Sequence, residues 1–485
     1  MISFNASFYN VLNHASGRYA FALLSGILNG VAFIWVGSIS FIANVPLLLA
    51  LMKAPRLTER IWLGALVGFF AGLHIYGIAH YGWFLLITFA TYTASQMMLY
   101  GIGFHYLWRG SPPWCRLALP VVLWTLTEWI RTLGPFSMPA SYVGNIALDQ
   151  WLAPWLFLSP HLGGLFVSAC IALIQTLVFL AIVDRRHYRP QIFVGFGIFI
   201  TLGVIGLLTP PNLGSDLRST VSVQSGLHNN RYAVAKVDPF ARQEIIDTFA
   251  VLSTRAYSSL PDYVFWPETA IRSPIFDNES LMDQLFPPKN QRTTLIAGLP
   301  IRRDSKRYNA ALAILQHQIK DESYKIKLVM GTEDHFTPGQ VHTPLHIGSD
   351  RVGVMICLEA VYPRIGQSLA AQGAQFLLVL SNDAGFGYSP ITHHMTRRAV
   401  MRALETGRWL VRVGQAGLSV IVNPRGEVQQ SLDLFTPALM SGNVQLRDDQ
   451  TFYVQYPNFF PQFTLAALVF LILVASNRRR KLDNA

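Results

Sequence analysis

Runs of about twenty mostly apolar residues recur through the first 209 positions of the chain. A helix of about 20 residues crosses the hydrocarbon core of a bilayer, so a succession of such runs is typical of a membrane bundle. The predicted spans lie near residues 19–36, 38–52, 61–78, 82–107, 117–133, 164–183, 191–209 and 458–475. We therefore expect about eight transmembrane helices, seven of them before residue 210.

The composition supports the same interpretation. Hydrophobic residues make up 51% of the chain and charged residues 13%, whereas about a quarter of a typical globular protein is charged. The formal net charge is +11, but the basic residues lie beside the apolar spans, and no basic-aromatic nucleic-acid module accompanies them. We expect a membrane as partner and no nucleic acid, with the excess charge facing anionic lipid.

Four basic clusters predict how the spans are oriented. They lie at residues 53–60, 109–116, 185–189 and 478–481. Counting the predicted spans between them places all four on one side of the membrane, which the positive-inside rule makes cytoplasmic. Both termini are then cytoplasmic, and residues 210–457 are extracytoplasmic.

Residues 210–457 have a different pattern, in which short β-branched runs alternate with helical stretches. Helices are predicted over 240–260, 365–372 and 391–406, the last with Gly407 as its C-terminal cap. This alternation predicts an α/β domain. The predicted strands lie at 220–223, 263–266, 294–296, 310–315, 352–357, 376–380, 410–413 and 418–422.

One predicted strand ends at Cys357, within the apolar run 351–359. Many α/β enzymes present a nucleophile where a strand ends, because the next backbone N–H can point at a developing oxyanion. A single cysteine is nevertheless more often a buried, inert residue. The other cysteines, Cys115 and Cys170, give no metal-ligand spacing, and so we predict no metal site and no disulfide framework.

Two other stretches carry residues that suit thiol chemistry. Glu268 follows a predicted strand, although a glutamate at such a position is more often a solvated loop residue. Lys325 and Lys327 alternate with apolar neighbours, so we expect both on one strand face, with snorkelling surface lysines as the simpler alternative. A carboxylate can deprotonate a thiol, and a lysine can stabilise the thiolate and donate to an oxyanion. With Cys357 these residues predict a covalent thioester that a second nucleophile resolves.

The order of the motifs resembles the nitrilase, or carbon-nitrogen hydrolase, superfamily, and more narrowly the membrane-embedded apolipoprotein N-acyltransferases. The resemblance spans the chain and is strongest between residues 266 and 427. It is carried by WPE at 266–268, YKIKLVMGTE at 324–333, ICLE at 356–359, SNDAGFG at 381–387 and RALETGRWLVR at 402–412.

The resemblance implies the fold and the site. It implies a polytopic α-helical membrane bundle over residues 1–209 and an extracytoplasmic nitrilase-like αββα sandwich over 210–457. Residues 458–485 are then a C-terminal transmembrane helix with a basic cytoplasmic tail. The catalytic residues implied by the family are Glu268, Lys325 and Cys357, with Glu333, Glu359, Leu358 and Asn382 in supporting positions.

The resemblance also implies an activity. An acyl chain passes from a phospholipid to Cys357 and then to the α-amine of the diacylglyceryl cysteine at a lipoprotein N-terminus. The implied partners are a phospholipid donor and a lipoprotein or other amine acceptor. No cofactor is implied. The implied location is the bacterial inner membrane, with several spans and a periplasmic catalytic domain.

This sequence departs from the family pattern around the predicted site. Leu358 stands where the family usually has tyrosine, Gly385 where it has tryptophan, and Met330 and Gly331 where it reads Pro-Phe. Two alternatives to the acyltransferase therefore stay open. The first is a membrane-anchored amidohydrolase in which water resolves the thioester. The second is a divergent nitrilase-like protein of a conjugative-transfer or envelope system, acting on another amine or amide or serving as an assembly factor without enzymatic activity.

Overall fold

The computed structural model describes residues 10–134, 137–139, 142–145, 153–289 and 291–483. The chain divides into two compact units. One comprises residues 1–210 and 456–485, and the other comprises residues 211–455. The first unit is helical wherever it is regular, and the second holds all the strands in the described part of the chain.

Ten α-helices lie in the described part of the first unit. Within the described ranges, five helical stretches are long and apolar enough to cross a membrane, and they span residues 15–34, 57–81, 164–184, 189–208 and 459–481. The α-helices are Ala15–Ile34, Val45–Lys53, Leu57–Gly72, Trp83–Trp108, Cys115–Ile130, Ala153–Leu156, Ser159–Leu162, Gly164–Asp184, Arg189–Leu208 and Phe459–Asp483.

The remaining predicted spans fall on helices that are shorter or more polar. The span near 38–52 is a 3₁₀ turn followed by a nine-residue helix, and the span near 117–133 is a 16-residue helix. The span near 82–107 is a 26-residue helix that contains Thr, Ser, Gln and Tyr residues. The predicted helical membrane part is therefore confirmed, with five rather than eight stretches that meet both length and apolarity.

A buried polar network connects three segments of this helical unit. Asn29 Nδ2 donates to Asn44 Oδ1 at 2.8 Å, and Asn44 Nδ2 donates to Gln175 Oε1 at 3.1 Å. All three side chains are buried. Amide side chains that bond across helices help to hold a membrane bundle together, because lipid tails cannot satisfy them.

The described residues of the second unit form twelve strands and six α-helices. The helices are Asn229–Val234, Pro239–Ser258, Glu279–Leu285, Pro363–Ala371, Ile391–Thr406 and Phe452–Gln455. The strands are β1 (Asp216–Gln224), β2 (Tyr263–Trp266), β3 (Thr294–Arg303), β4 (Lys306–Leu315), β5 (Gln318–Tyr324), β6 (Leu345–Ile347), β7 (Asp350–Ile356), β8 (Phe376–Ser381), β9 (Leu410–Gly414), β10 (Val420–Val422), β11 (Val428–Ser431) and β12 (Ala438–Leu446).

The strands form two six-stranded sheets. Their orders are β12-β1-β2-β3-β4-β5 and β11-β10-β9-β8-β7-β6. In the centre of the first sheet β2 runs parallel to β1 and β3, and in the second β8 runs parallel to β7 and β9. The outer pairs are antiparallel. Helical connections between the parallel strands explain why the sequence alternates between the two patterns.

Side-chain alternation along β2 shows how the layers pack. Tyr263 and Phe265 point into the core between the two sheets, together with residues of β7 such as Val354. Val264 and Trp266 point the opposite way, into a core shared with helix Pro239–Ser258. Helices Pro363–Ala371 and Ile391–Thr406 contact the second sheet. The predicted αββα sandwich is confirmed.

The stretches predicted as strands and helices from the sequence are present. Helix Ile391–Thr406 has the predicted bounds, and Gly407 follows it with a φ of 63°, as a left-handed cap requires. The strand predicted over 263–266 also matches its observed bounds. These elements position the residues of the candidate site, because Glu268 and Cys357 each follow a buried strand.

Candidate active site

The structure buries the three residues predicted to be catalytic. Glu268, Lys325 and Cys357 expose 4%, 1% and 8% of their surface. Glu268 follows β2, Lys325 follows β5, and Cys357 follows β7. The backbone N–H of Lys325 donates to the carbonyl oxygen of Asn309 on β4 at 2.9 Å, which continues the β4–β5 pairing beyond its last residue. The glutamate is therefore not the solvated loop residue of the simpler interpretation.

Lys325 lies between two carboxylates. Its Nζ is 2.7 Å from Glu268 Oε1 and 2.8 Å from Glu333 Oε2. The side-chain amide of Asn309 donates to the same two carboxylates, at 2.8 Å to Glu268 Oε1 and 2.9 Å to Glu333 Oε1. The other oxygen of Glu268 accepts the backbone N–H of Asn382 at 3.0 Å. Glu268 is thus held in one orientation by three donors.

Cys357 occupies a strained position where β7 ends. It begins the 3₁₀ turn Cys357–Val361, and its φ is 53°, in the left-handed region that few residues other than glycine adopt. Such a conformation costs on the order of 1–3 kcal/mol and is characteristic of sharp turns that present a nucleophile. Leu358, which follows it, is half-buried.

The carboxylate of Glu359 connects the cysteine turn to the lysine segment. Glu359 Oε2 accepts the backbone N–H of Ile356 at 2.8 Å, and Oε1 accepts the backbone N–H of Ile326 at 2.7 Å. His342 Nε2 lies 2.9 Å from Glu359 Oε1. A single buried side chain therefore fixes the segments on either side of Lys325 and Cys357 relative to each other.

Charge and burial set the protonation of the site. Burial raises the pKa of Glu268, although Lys325 opposes the rise. Burial also raises the pKa of the Cys357 thiol, and the carboxylate of Glu268 raises it further, while Lys325 lowers it. Burial disfavours the ammonium of Lys325, but Glu268, Cys357 and Glu333 outweigh it and raise its pKa. At neutral pH the lysine is charged and the cysteine is a thiol, so thiolate formation needs a base.

The prediction that Lys325 and Lys327 share a strand face is wrong. Strand β5 ends at Tyr324, and the two lysines follow it in an irregular segment. Lys325 is buried against carboxylates, whereas the ammonium of Lys327 lies 5.3 Å from the ring centroid of Tyr362. Of the two lysines, Lys325 is the one that contacts Glu268 and Glu333.

Three residues near the site were not predicted. Asn309 was detectable in principle, since it is a buried polar residue in the otherwise apolar stretch 308–315. His342 lies in an irregular segment without any pattern. Asp383 is one of the charges acting on Cys357, and it is paired with the buried guanidinium of Arg412. Among the described residues, no group of three or more His, Cys, Asp or Glu side chains could hold a metal ion.

Gly298 on β3 lies directly against the turn that carries Glu268. A Cβ placed on Gly298 would lie 2.3 Å from the carbonyl oxygen of Pro267 and 2.6 Å from Glu268 Cα. We expect Gly298→Ala to destabilise the protein by about 1–3 kcal/mol, because the turn must move away. Thermal unfolding in detergent would measure the loss.

Gly366→Ala is the matched control for that variant. Gly366 lies in helix Pro363–Ala371, and an added Cβ there first meets the flexible side chain of Arg402, at 3.2 Å. Alanine favours a helix over glycine by up to about 1 kcal/mol, so we expect little change or a small gain. Equal destabilisation by both variants would contradict the assignment of the effect to the Glu268 turn.

Comparison with known proteins finds similar sequences both for the second unit and for the whole chain. Residues 233–452 match the family model described as carbon-nitrogen hydrolase. An apolipoprotein N-acyltransferase of Geobacter metallireducens is 25% identical over 95% of this chain and 96% of its own length. An apolipoprotein N-acyltransferase of Azotobacter vinelandii is 26% identical over 90% of each chain. Residues 233–452 are thus similar to carbon-nitrogen hydrolase domains, and the chain along most of its length is similar to apolipoprotein N-acyltransferases.

Proposed function

We propose that this protein is a membrane N-acyltransferase that carries an acyl chain on Cys357. The observation that supports it most is the contact of Lys325 with Glu268 and Glu333. These three charged groups all act electrostatically on Cys357, which lies in a strained turn. The domain with these residues is joined to helices long and apolar enough to span a membrane. An acyl donor that resides in the membrane suits this combination.

In the first half-reaction Glu268 acts as general base. It takes the proton of the Cys357 thiol as Sγ attacks the ester carbonyl carbon of a phospholipid. The ammonium of Lys325 donates to the oxyanion that forms, which a charged lysine can do without giving up its own proton. The tetrahedral intermediate collapses with cleavage of the acyl C–O bond, and Glu268 returns its proton to the departing lysophospholipid oxygen.

In the second half-reaction an amine resolves the thioester. The α-amine of a diacylglyceryl cysteine attacks the thioester carbonyl, Glu268 accepts a proton from the nitrogen, and the C–S bond breaks. The products are an amide and a thiolate on Cys357, which regains its proton from Glu268. By the predicted orientation, this chemistry takes place on the periplasmic side of the bacterial inner membrane.

The departures from the family pattern concern the identity of the acceptor. Leu358 directly follows the nucleophile and is half-buried beside it. Met330 is 78% exposed, so a residue that could contact an acceptor or a lipid surface is apolar here. These features agree equally with a diacylated acceptor and with another lipid-linked amine. A direct acyl-transfer assay would distinguish the two acceptors.

The test is an acyl-transfer assay on the purified full-length protein. The protein is incubated with phosphatidylethanolamine, and its intact mass is measured before and after addition of a diacylated lipopeptide with a free α-amine. We expect a fatty-acyl increment that the lipopeptide discharges, with an N-acylated lipopeptide as product. An increment that decays equally fast in buffer would identify a hydrolase instead. Absence of any increment with phosphatidylethanolamine or phosphatidylglycerol would overturn the proposal.

The pH dependence of acylation follows from the shifted pKa values. The productive form has Glu268 deprotonated, and burial raises the pKa of this carboxyl above the value of about 4.3 of an unperturbed glutamate. The pKa values of Cys357 and Lys325 are also raised, so neither titrates near neutrality. We expect the single-turnover rate to rise with pH through the Glu268 pKa and to show no fall before strongly alkaline pH.

Rates measured between about pH 4 and 9 would check this profile. Glu268→Gln should lower the acylation rate by about 10²–10⁴-fold, as expected for loss of a general base. The remaining rate should no longer depend on pH in this range. A rate that decreases as pH rises through this range would contradict the assignment, because it would require a protonated Glu268.

A further inference from the structure

A groove in the helical unit is lined by none of the residues described around Cys357. Its volume is about 510 Å³, which is within the range of roughly 300–1,000 Å³ typical of ligand pockets. It is lined by residues of three helices, Trp83–Trp108, Cys115–Ile130 and Phe459–Asp483. Most of its wall is aliphatic, including Leu123 and Ile472.

One end of this groove is cationic. Arg479 is among the lining residues, and its Nη2 donates to the carbonyl oxygen of Tyr106. A guanidinium has five N–H donors, so this contact leaves others for a ligand. Arg60, Arg109 and Arg479 all act electrostatically on His105, which lies in the last turn of helix Trp83–Trp108.

The acidic side chain near this cluster already has a partner. Glu59 acts on Arg60, but its Oε1 lies 2.6 Å from Nε of Arg18. Arg60 is fully buried, and its Nη1 lies 3.3 Å from His105 Nδ1. Among the described residues, the cluster therefore carries a net positive charge, with Arg60 buried, Arg479 half-buried and Arg109 exposed.

Packing holds Arg479 at the end of the groove. A Cβ placed on Gly110 would lie 3.0 Å from Arg479 Nε and 3.1 Å from the Cβ of Ala475. The turn after helix Trp83–Trp108 thus lies against the C-terminal part of helix Phe459–Asp483. Ala475 is buried in this contact, which fixes the side of the helix that Arg479 occupies.

We propose that this groove binds one anionic phospholipid, with an acyl chain along the aliphatic wall and the phosphate at Arg479. Basic pockets between transmembrane helices at the cytoplasmic side commonly accept anionic headgroups. The positive-inside rule assigns this end of the helices to the cytoplasmic leaflet. The lipid is held without a covalent bond, and the proposal does not depend on the reaction assigned to Cys357.

Native mass spectrometry of the full-length protein would test the site. The detergent-solubilised protein is titrated with palmitoyl-oleoyl phosphatidylglycerol or with phosphatidylcholine of the same chains. We expect one tightly held phosphatidylglycerol and about fivefold weaker retention in Arg479→Gln, the effect of one basic residue near an anionic lipid. Ser476→Trp, which fills the groove without changing its charge, should also displace the lipid.

Arg478→Gln is the matched control. Arg478 loses the same charge on the same helix, but it is exposed and is not among the lining residues. Equal weakening by Arg478→Gln and Arg479→Gln would overturn the site in favour of general attraction to the basic tail. Retention of phosphatidylcholine as tight as that of phosphatidylglycerol would overturn the role of the arginines. Cys357→Ala should retain the lipid, which separates this binding from acylation.

Discussion

Replacing Cys357 by alanine is expected to abolish acylation of the protein by phospholipid. The rate should fall by at least about 10⁴-fold, because removal of a nucleophile leaves only the contribution of substrate binding and oxyanion stabilisation. The acyl increment in intact-mass measurements should disappear. The variant should remain folded, since the side chain is small and alanine meets the same φ of 53° as cysteine.

The other two cysteines provide the control for this prediction. Cys115 and Cys170 are also buried free thiols, but both lie in helices of the other structural unit. Cys115→Ala and Cys170→Ala should be acylated at the wild-type rate. Acylation of Cys357→Ala at that rate would exclude Cys357 as the acyl carrier, and the same loss in all three variants would indicate damage to the fold.

The strands that the sequence predicted and those it missed differ in their position in the sheets. All eight predicted strands lie inside the two sheets, and the four that were missed, β5, β6, β11 and β12, are the four edge strands. An inner strand is covered on both faces and needs apolar residues, which produce a pattern. An edge strand needs little more than backbone pairing.

Strand β11 illustrates the difference. Its residues Val428–Ser431 are all exposed, and it pairs with β10 across an irregular register. Strand β5 has three charged residues in a row at its centre, Lys320, Asp321 and Glu322. Neither strand has the alternation of apolar residues that identifies a strand in a sequence. Both are strands because of the neighbouring strand with which they pair, and the sequence does not reveal that neighbour.

The candidate site, like the sheets, was predictable only in part from the sequence. Glu268 and Cys357 follow inner strands whose pattern is strong, and the family motifs selected Lys325 from two neighbouring lysines. The contacts of Asn309 and His342 depend on segments that are distant in sequence. Asn309 precedes Glu333 by 24 residues, and His342 precedes Glu359 by 17. Such contacts become visible only once the chain is folded.

Replacing Lys325 by methionine is expected to cause the largest loss of stability at the site. Methionine fills a similar volume, but it leaves Glu268 and Glu333 facing each other with the cation between them removed. Loss of one partner of a buried ion pair typically costs about 3–5 kcal/mol, because the remaining charge is left buried. Denaturant unfolding of the purified protein would measure this, and acylation should be lost as well.

The loss of stability of Lys325→Met relative to the wild type should grow as pH rises from about 5 to 8. In the wild type the ammonium is charged throughout this range, since its pKa is raised. Without it, the pKa of the buried Glu268 carboxyl rises further above the unfolded value. A group whose pKa is raised on folding contributes stability at low pH that is lost as pH increases through that pKa. The variant therefore recovers stability in acid, where a carboxyl can bind a proton.

Lys327→Met separates this effect from a general loss of charge. Lys327 is two residues away and only half-buried, with its ammonium over the ring of Tyr362. Its replacement should cost about 1 kcal/mol or less, the usual range of a partly exposed cation–π contact, without a change in pH dependence. If Lys325→Met were as stable as Lys327→Met at pH 8, the contacts of Lys325 with Glu268 and Glu333 would not stabilise the folded protein, which would contradict this prediction.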